Sequence, residues 1–192
     1  MKFNFDAALP EDYTLAQVKS VMDARGYEWV QRIPAAELQL AEEIWRLPEG
    51  KGIVRYVFDH FMDVPSIRAE SDINGEPARI ITDLGRDLPF LYIEPLLKAA
   101  RASGRERAYA LRALAVITPF YNGGVASVLR AALQDADPGM RRLGLRTLSR
   151  YPYFTFAKDL DTMAASEADP ELKADAIRLA KDLREQGRRG TL

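Results

Sequence analysis

Along the second half of the chain, apolar positions recur three and four residues apart. Ile93, Leu96, Leu97 and Ala100 form one stripe, Val125, Val128, Leu129 and Ala132 a second, and Ala157, Leu160, Met163 and Ala164 a third. That spacing predicts helices with one buried face. Between the stripes lie three stretches that align with one another: YALRALAVI from Tyr109, LGLRTLSRY from Leu143 and DAIRLAKDL from Asp175. Their central arginines, Arg112, Arg146 and Arg178, are 34 and then 32 residues apart. Ala136-Asp137-Pro138 returns as Ala168-Asp169-Pro170, which suits an aspartate N-cap before a first-turn proline. Pro119-Phe120-Tyr121 is matched by Pro152-Tyr153-Phe154, a proline and two aromatics at each joint. Self-similarity at this period predicts stacked helical hairpins. Gly104 and Gly187 stand where helices are expected to end.

The first 87 residues show no repeat and mix two periods. Thr14 and Gln17 make a capping box ahead of Leu15, Val18 and Met22, and Gly26 ends that helix. Tyr27 to Ile33 is expected as a short strand. Pro34 through Leu40, Ala41, Ile44 and Trp45 is expected as a second helix. Ile53 to Phe58 is β-branched and aromatic except for Arg55 and nearly continuous in apolar character, the signature of a central strand. Pro65, Ile67 and Ala69 alternate with polar residues, and Ser71 to Pro77 is turn chemistry. Ile80, Ile81, Leu84 and Leu88 return to helical spacing. Three or four strands and about three helices are expected here.

With 192 residues and 47% hydrophobic content, the chain can bury a real core. Cysteine is absent, which excludes disulfides, thiolate metal sites and cysteine nucleophiles. The N-terminal stretch lacks the apolar run of a signal peptide. No segment reaches the roughly 20 apolar residues of a membrane span, so a cytoplasmic setting is expected. The net charge of −1 hides an asymmetry. Residues 1–87 carry ten basic against sixteen acidic side chains, and residues 88–192 carry seventeen against twelve. Opposite signs suit either an acidic partner for the second half or attraction between the halves.

Asp137-Pro138 with Arg146 and Leu148, and Asp169-Pro170 with Arg178, resemble HEAT repeats, in the short form of phycobilisome-lyase-like proteins. The resemblance covers residues 88–187. The first repeat departs from it, with Gly104-Arg105-Glu106 in place of Asp-Pro. The resemblance implies an armadillo-like α-solenoid and leaves function open among scaffolds, inhibitors, lyases and DNA-repair proteins. Arg112, Arg146 and Arg178 can line one face and grip phosphates or carboxylates, or bridge neighbouring repeats, and the resemblance favours the bridge.

Candidate chemistry is sparse. His60 is the sole histidine, flanked by Asp59 and Asp63. A metal site would need further ligands, and Phe58, Phe61 and Met62 suit a histidine at a loop end, packed on the core. No phosphate loop, nucleophile elbow or paired metal motif is present, so neither catalytic residues nor cofactors are expected. The aromatics of the joints can be gap-fillers or a sticky rim.

The sequence therefore predicts an α+β N-terminal cap over residues 1–87, an all-α solenoid of about three HEAT-like hairpins over 88–187, and a short tail at 188–192. The expected function is non-catalytic binding of an acidic protein along a concave face, as an adaptor, inhibitor or immunity protein. Arg105, Arg107, Arg141, Arg142, Arg150, Tyr109 and Tyr153 are the expected contacts. Two alternatives stay open. One is nucleic-acid binding, with glycosylase-like chemistry as an extension; the other is a chromophore-lyase-like, small-molecule role. A positive groove would favour the first, an apolar pocket the second, and a mixed-charge face the adaptor. Oligomeric state is left open.

Overall fold

The computed structural model describes residues 2–35, 40–50 and 52–189. Two compact units divide the chain, Met1–Pro95 and Leu96–Leu192. The first is built on a five-stranded antiparallel sheet of order β1-β5-β4-β3-β2. Its strands are β1 (Phe3–Ala8), β2 (Glu28–Ile33), β3 (Leu40–Arg46), β4 (Ile53–Asp59) and β5 (Val64–Ser71). Helices α1 (Leu15–Ala24) and α2 (Glu76–Leu84) supply Val18, Met22, Ile80, Ile81 and Leu84 to the sheet's core. There they join Ala7, Trp45, Val54, Tyr56, Ile67 and Ala69. The capping box forms as expected, with the Thr14 hydroxyl accepting from Gln17 N–H. Gly26 takes a left-handed φ of 68° just past the helix end, a conformation that costs glycine little. Arg25 then ties α1 to α2 through Asp83 and Asp87, each at 2.5 Å.

The other sheet face is held by charge. Register sets Arg55 directly opposite Arg68, a pairing that repels unless carboxylates intervene. They do: Arg55 reaches Glu70 at 2.9 Å and Glu42 at 2.8 Å, and Arg68 reaches Asp6 at 2.7 Å. Burial pushes the Asp6 carboxyl above its usual range, against the opposing pull of Arg68.

The second unit is helical. Helix α3 (Ile93–Ala100) crosses the boundary between the units, followed by α4 (Arg105–Ile117), α5 (Gly123–Leu133), α6 (Pro138–Arg150), α7 (Ala157–Ser166) and α8 (Pro170–Arg189). Asp137 caps α6 through Gly139 N–H, and the Asp169 carboxylate accepts from Glu171 and Leu172 N–H. The aligned positions Ala110, Gly144 and Ala176 are all buried and small. At Gly144 the reason is visible, since a Cβ would meet the Leu133 side chain at 3.2 Å and its backbone nitrogen at 3.3 Å.

The expected cap followed by an all-α solenoid is not the fold of this chain, which is a mixed α+β protein with a five-stranded antiparallel sheet and eight α-helices among the described residues. The first unit is too complete to be a cap. It has five strands, only α1 and α2 lie wholly within it, and it carries its own core. The helix expected from Pro34 fails because residues 40–46 are β3; residues 36–39 of that expectation lie outside the described residues. Ile44 and Trp45 point to opposite faces of a strand and both are buried, which imitates a helical stripe. Gly187 lies inside α8 rather than at its end, and Gly104 is the N-cap of α4. Residues 190–192 of the expected tail lie outside the described residues.

Candidate functional site

The joint after α4 and the joint after α6 build one aromatic cluster. Tyr151 is buried, and its hydroxyl accepts from Asn122 N–H at 2.7 Å and donates to the Phe120 carbonyl at 3.2 Å. The Tyr153 hydroxyl donates to the Pro119 carbonyl at 3.0 Å. Tilted and edge-on ring contacts continue the link: Tyr153 lies 4.5 Å from Tyr151 and 5.5 Å from Tyr121, centroid to centroid. Phe156 lies beneath, 6.3 Å from Tyr151, with the Arg130 guanidinium 5.1 Å from its centroid. Burial pushes both the Tyr151 and Tyr153 phenols above their usual range.

On this base stand three exposed aromatics, Phe120 at 79%, Phe154 at 63% and Tyr121 at 48%. Phe154 also rests on α8, where a Cβ at Gly187 would lie 3.0 Å from the Phe154 Cβ. Asn122 caps α5 by accepting from Gly124 and Val125 N–H, so the first joint is tied at both ends. Thr118, at the entrance to that joint, is buried with no hydrogen-bond partner for its hydroxyl among the described residues.

The expected arginines divide into two groups. Arg107 reaches Asp135 at 2.6 Å. Arg141 holds Glu167 through two bonds, at 2.7 and 2.8 Å, and spends its remaining nitrogen on the carbonyls of Asp135 and Ala136. Both acids stand two residues before an N-cap aspartate and also accept that aspartate's N–H, Asp135 from Asp137 and Glu167 from Asp169. Hydrogen bonds from Arg141, then from Asp169 N–H, hold the Glu167 carboxyl down at about 2. Asp135 is lowered as well, first by Asp137 N–H and then by Arg107. These two arginines join successive helical segments. Arg142 is more exposed and leans on Asp169 at 3.2 Å. Arg105 and Arg150 are exposed, the first opening α4 and the second closing α6 beside Tyr151.

Of the two expected aromatics, Tyr153 belongs to the cluster. Tyr109 is buried in α4, 5.5 Å from the Arg112 guanidinium. The ladder arginines behave less uniformly than the resemblance implies, since Arg178 pairs with Asp175 of its own helix at 2.8 Å. The bridging acids are not among the expected contacts. Their signal was an acidic residue before each Ala-Asp-Pro, namely Asp135 and Glu167.

His60 is exposed in the β4–β5 turn, with its ring edge-on to Phe58 at 4.7 Å, while Asp59 is buried and accepts from Met62 N–H. No group of three or more His, Asp or Glu able to hold a metal ion occurs among the described residues. Nor does any described helix have the length and apolarity to cross a membrane. No protein family, curated protein or solved structure matches the chain, so the resemblance to HEAT repeats has no relative behind it.

Proposed function

We propose that this chain is a non-catalytic protein-binding module whose contact surface lies on the helical unit. The carrying observation is the pair of joints bearing the exposed side chains of Phe120, Tyr121 and Phe154, the first joint tied to the second by the hydroxyls of Tyr151 and Tyr153. Exposed aromatics on a fixed base suit a partner interface, because rigid rings bury large area at little entropic cost. The charge layout supports a protein over a nucleic acid. Arg107 and Arg141 are committed to Asp135 and Glu167, so part of the basic excess is answered locally. Phosphate neutralisation needs cations available in number. Arg105, Arg142 and Arg150 are the charges suited to steering an acidic partner.

The test is an affinity capture from source cells at low and high salt, with and without nuclease. Wild type is compared with Arg105, Arg142 and Arg150 all changed to Glu. The module reading expects one protein partner, weakened by salt and lost in the variant. Recovery of nucleic acid that nuclease abolishes would replace it with the nucleic-acid reading.

A further inference from the structure

Strand β2 forms one edge of the sheet, and no described strand pairs with its outer side. All six of its residues are exposed, among them Trp29 at 52%, Ile33 at 40% and Val30 at 36%. The opposite edge differs: in β1 only Asn4 and Phe5 are exposed, and the Leu91 N–H donates to the Ala8 carbonyl at 2.8 Å. A bare row of backbone donors and acceptors is a template for another strand, and lysine, proline, a covering element or a bulge guards against it. Glu28–Ile33 contains no lysine and no proline. The guard it has is a bulge at Val30, the residue left over between the pairs Trp29–Trp45 and Gln31–Ile44. That bulge fixes which side chains share a face. Trp29 and Arg32 stand opposite Trp45 and Glu43, on the face that α1 and α2 cover. There the Trp29 indole N–H donates to Glu43 at 2.8 Å, and Arg32 reaches the same carboxylate at 3.5 Å. Glu28, Gln31 and Ile33 stand opposite Arg46, Ile44 and Glu42, on the ionic face.

We propose that two copies of this chain join antiparallel through β2, making one ten-stranded sheet with α1 and α2 of both copies on the same face. A strand that pairs with β2 has to match it face for face. β2 matches itself in the antiparallel register that sets Trp29 opposite Arg32, Glu28 opposite Ile33 and Val30 opposite Gln31. A shift of one residue either way would set helix-face residues against ionic-face residues. In the matched register both bulges lie at the centre, beside the two-fold axis, and the flanks of one copy pair with the opposite flanks of the other. Each Arg32 guanidinium then meets the Trp29 ring of the other copy, a cation–π contact. The Glu28 end of one strand meets the Arg32 end of the other, whereas parallel in-register pairing would set Glu28 on Glu28 and Arg32 on Arg32. An extended segment of another protein also adds to sheet edges as a class. The second copy is favoured because β2 supplies its own complement in face and in charge. This pairing concerns the sheet unit and is independent of the aromatic joints.

The test is sedimentation equilibrium of the full chain over a concentration series, for wild type and Val30→Lys, with circular dichroism confirming that the variant keeps its fold. Wild type should pass from the mass of one copy to that of two. Val30→Lys sets two ammonium groups beside the axis and should raise the dissociation constant about tenfold or more. The register is read separately and does not depend on that variant folding. The chain has no cysteine, so the single substitutions Glu28→Cys and Ile33→Cys report only disulfides between copies. Mixed and oxidised, they should give the 28–33 disulfide well above 28–28 or 33–33, because only opposed residues come within bonding range. The mass of a single copy at every concentration would overturn the proposal. So would a two-copy form that Val30→Lys leaves intact, or one in which the 28–33 disulfide is not preferred.

Discussion

Replacing Tyr151 by Phe removes one oxygen and leaves the ring that packs against Tyr153 and Phe156. The lost hydroxyl accepts from Asn122 N–H at 2.7 Å and donates to the Phe120 carbonyl at 3.2 Å. A net hydrogen bond contributes about 1 kcal/mol, and a stranded donor costs about 1–3 kcal/mol. The shorter bond leaves the stranded donor, and the longer one leaves a carbonyl at an exposed residue that water can reach. The expected loss is therefore about 2 kcal/mol for the helical unit. With a urea dependence of about 2 kcal/mol per molar, the midpoint should fall by about 1 M. The local readout is sharper. If the joint opens more readily by that amount, exchange of the Asn122 amide should accelerate about thirtyfold. Exchange of amides in the sheet unit should be unaffected, because the bonds involved lie wholly within the helical unit. An unchanged midpoint together with an unchanged Asn122 exchange rate would refute the claim that this hydroxyl fixes the joint.

Three further outcomes follow from the same structure. Thr118→Val removes a buried hydroxyl that has no hydrogen-bond partner among the described residues and keeps the side chain's shape, so thermal or urea unfolding should show a gain of about 1 kcal/mol, and a loss would contradict the assignment. Gly144→Leu forces a large side chain against Leu133 and Ala132, and should cost about 2 kcal/mol or more, whereas Gly144→Ala sets a helix gain of about 1 kcal/mol against a tight contact and should change little. The Glu167 carboxyl is held at about 2 in the folded chain, below its unfolded value of 4.5. Its contribution is present above about 4.5 and is lost as pH falls towards 2. Acid titration of stability should therefore be shallower between those values in Glu167→Gln, and an identical slope would show that the Arg141 pair does not carry it.

Much of the architecture can be read from pattern, and the errors have identifiable causes. The helices of the second unit declare themselves because each buries one face, so its apolar stripe repeats at helical spacing. The N-terminal strand β1 went unrecognised although Phe3, Phe5 and Ala7 alternate with Asn4 and Asp6. Its pairing with β5 is a long-range fact that a six-residue alternation only hints at. Strand β3 was mistaken for a helix because both Ile44 and Trp45 are buried. The candidate site was half visible. Paired proline-aromatic joints could be seen, but whether the rings plug gaps or face outward depends on packing: Tyr151 and Phe156 are buried, while Phe120 and Phe154 are exposed. The arginines were harder still. Residue type and spacing do not separate Arg107 and Arg141, which bind acids in the following segment, from Arg105 and Arg150, which are exposed. Only the acids before each Ala-Asp-Pro could have foretold it.

The most direct measurement of the central claim is site-specific photocrosslinking in source cells, with a benzophenone side chain placed singly at Phe120, at Phe154, at Ile177 on α8 and at Trp29 on the sheet's edge strand. Ile177 and Trp29 are exposed controls of comparable apolar character. The account predicts one light-dependent adduct to another protein, common to positions 120 and 154, absent at 29 and 177, and suppressed when Arg150 is changed to Glu. Such adducts at position 29 or 177 with none at 120 and 154 would contradict it and move the contact surface away from the aromatic joints.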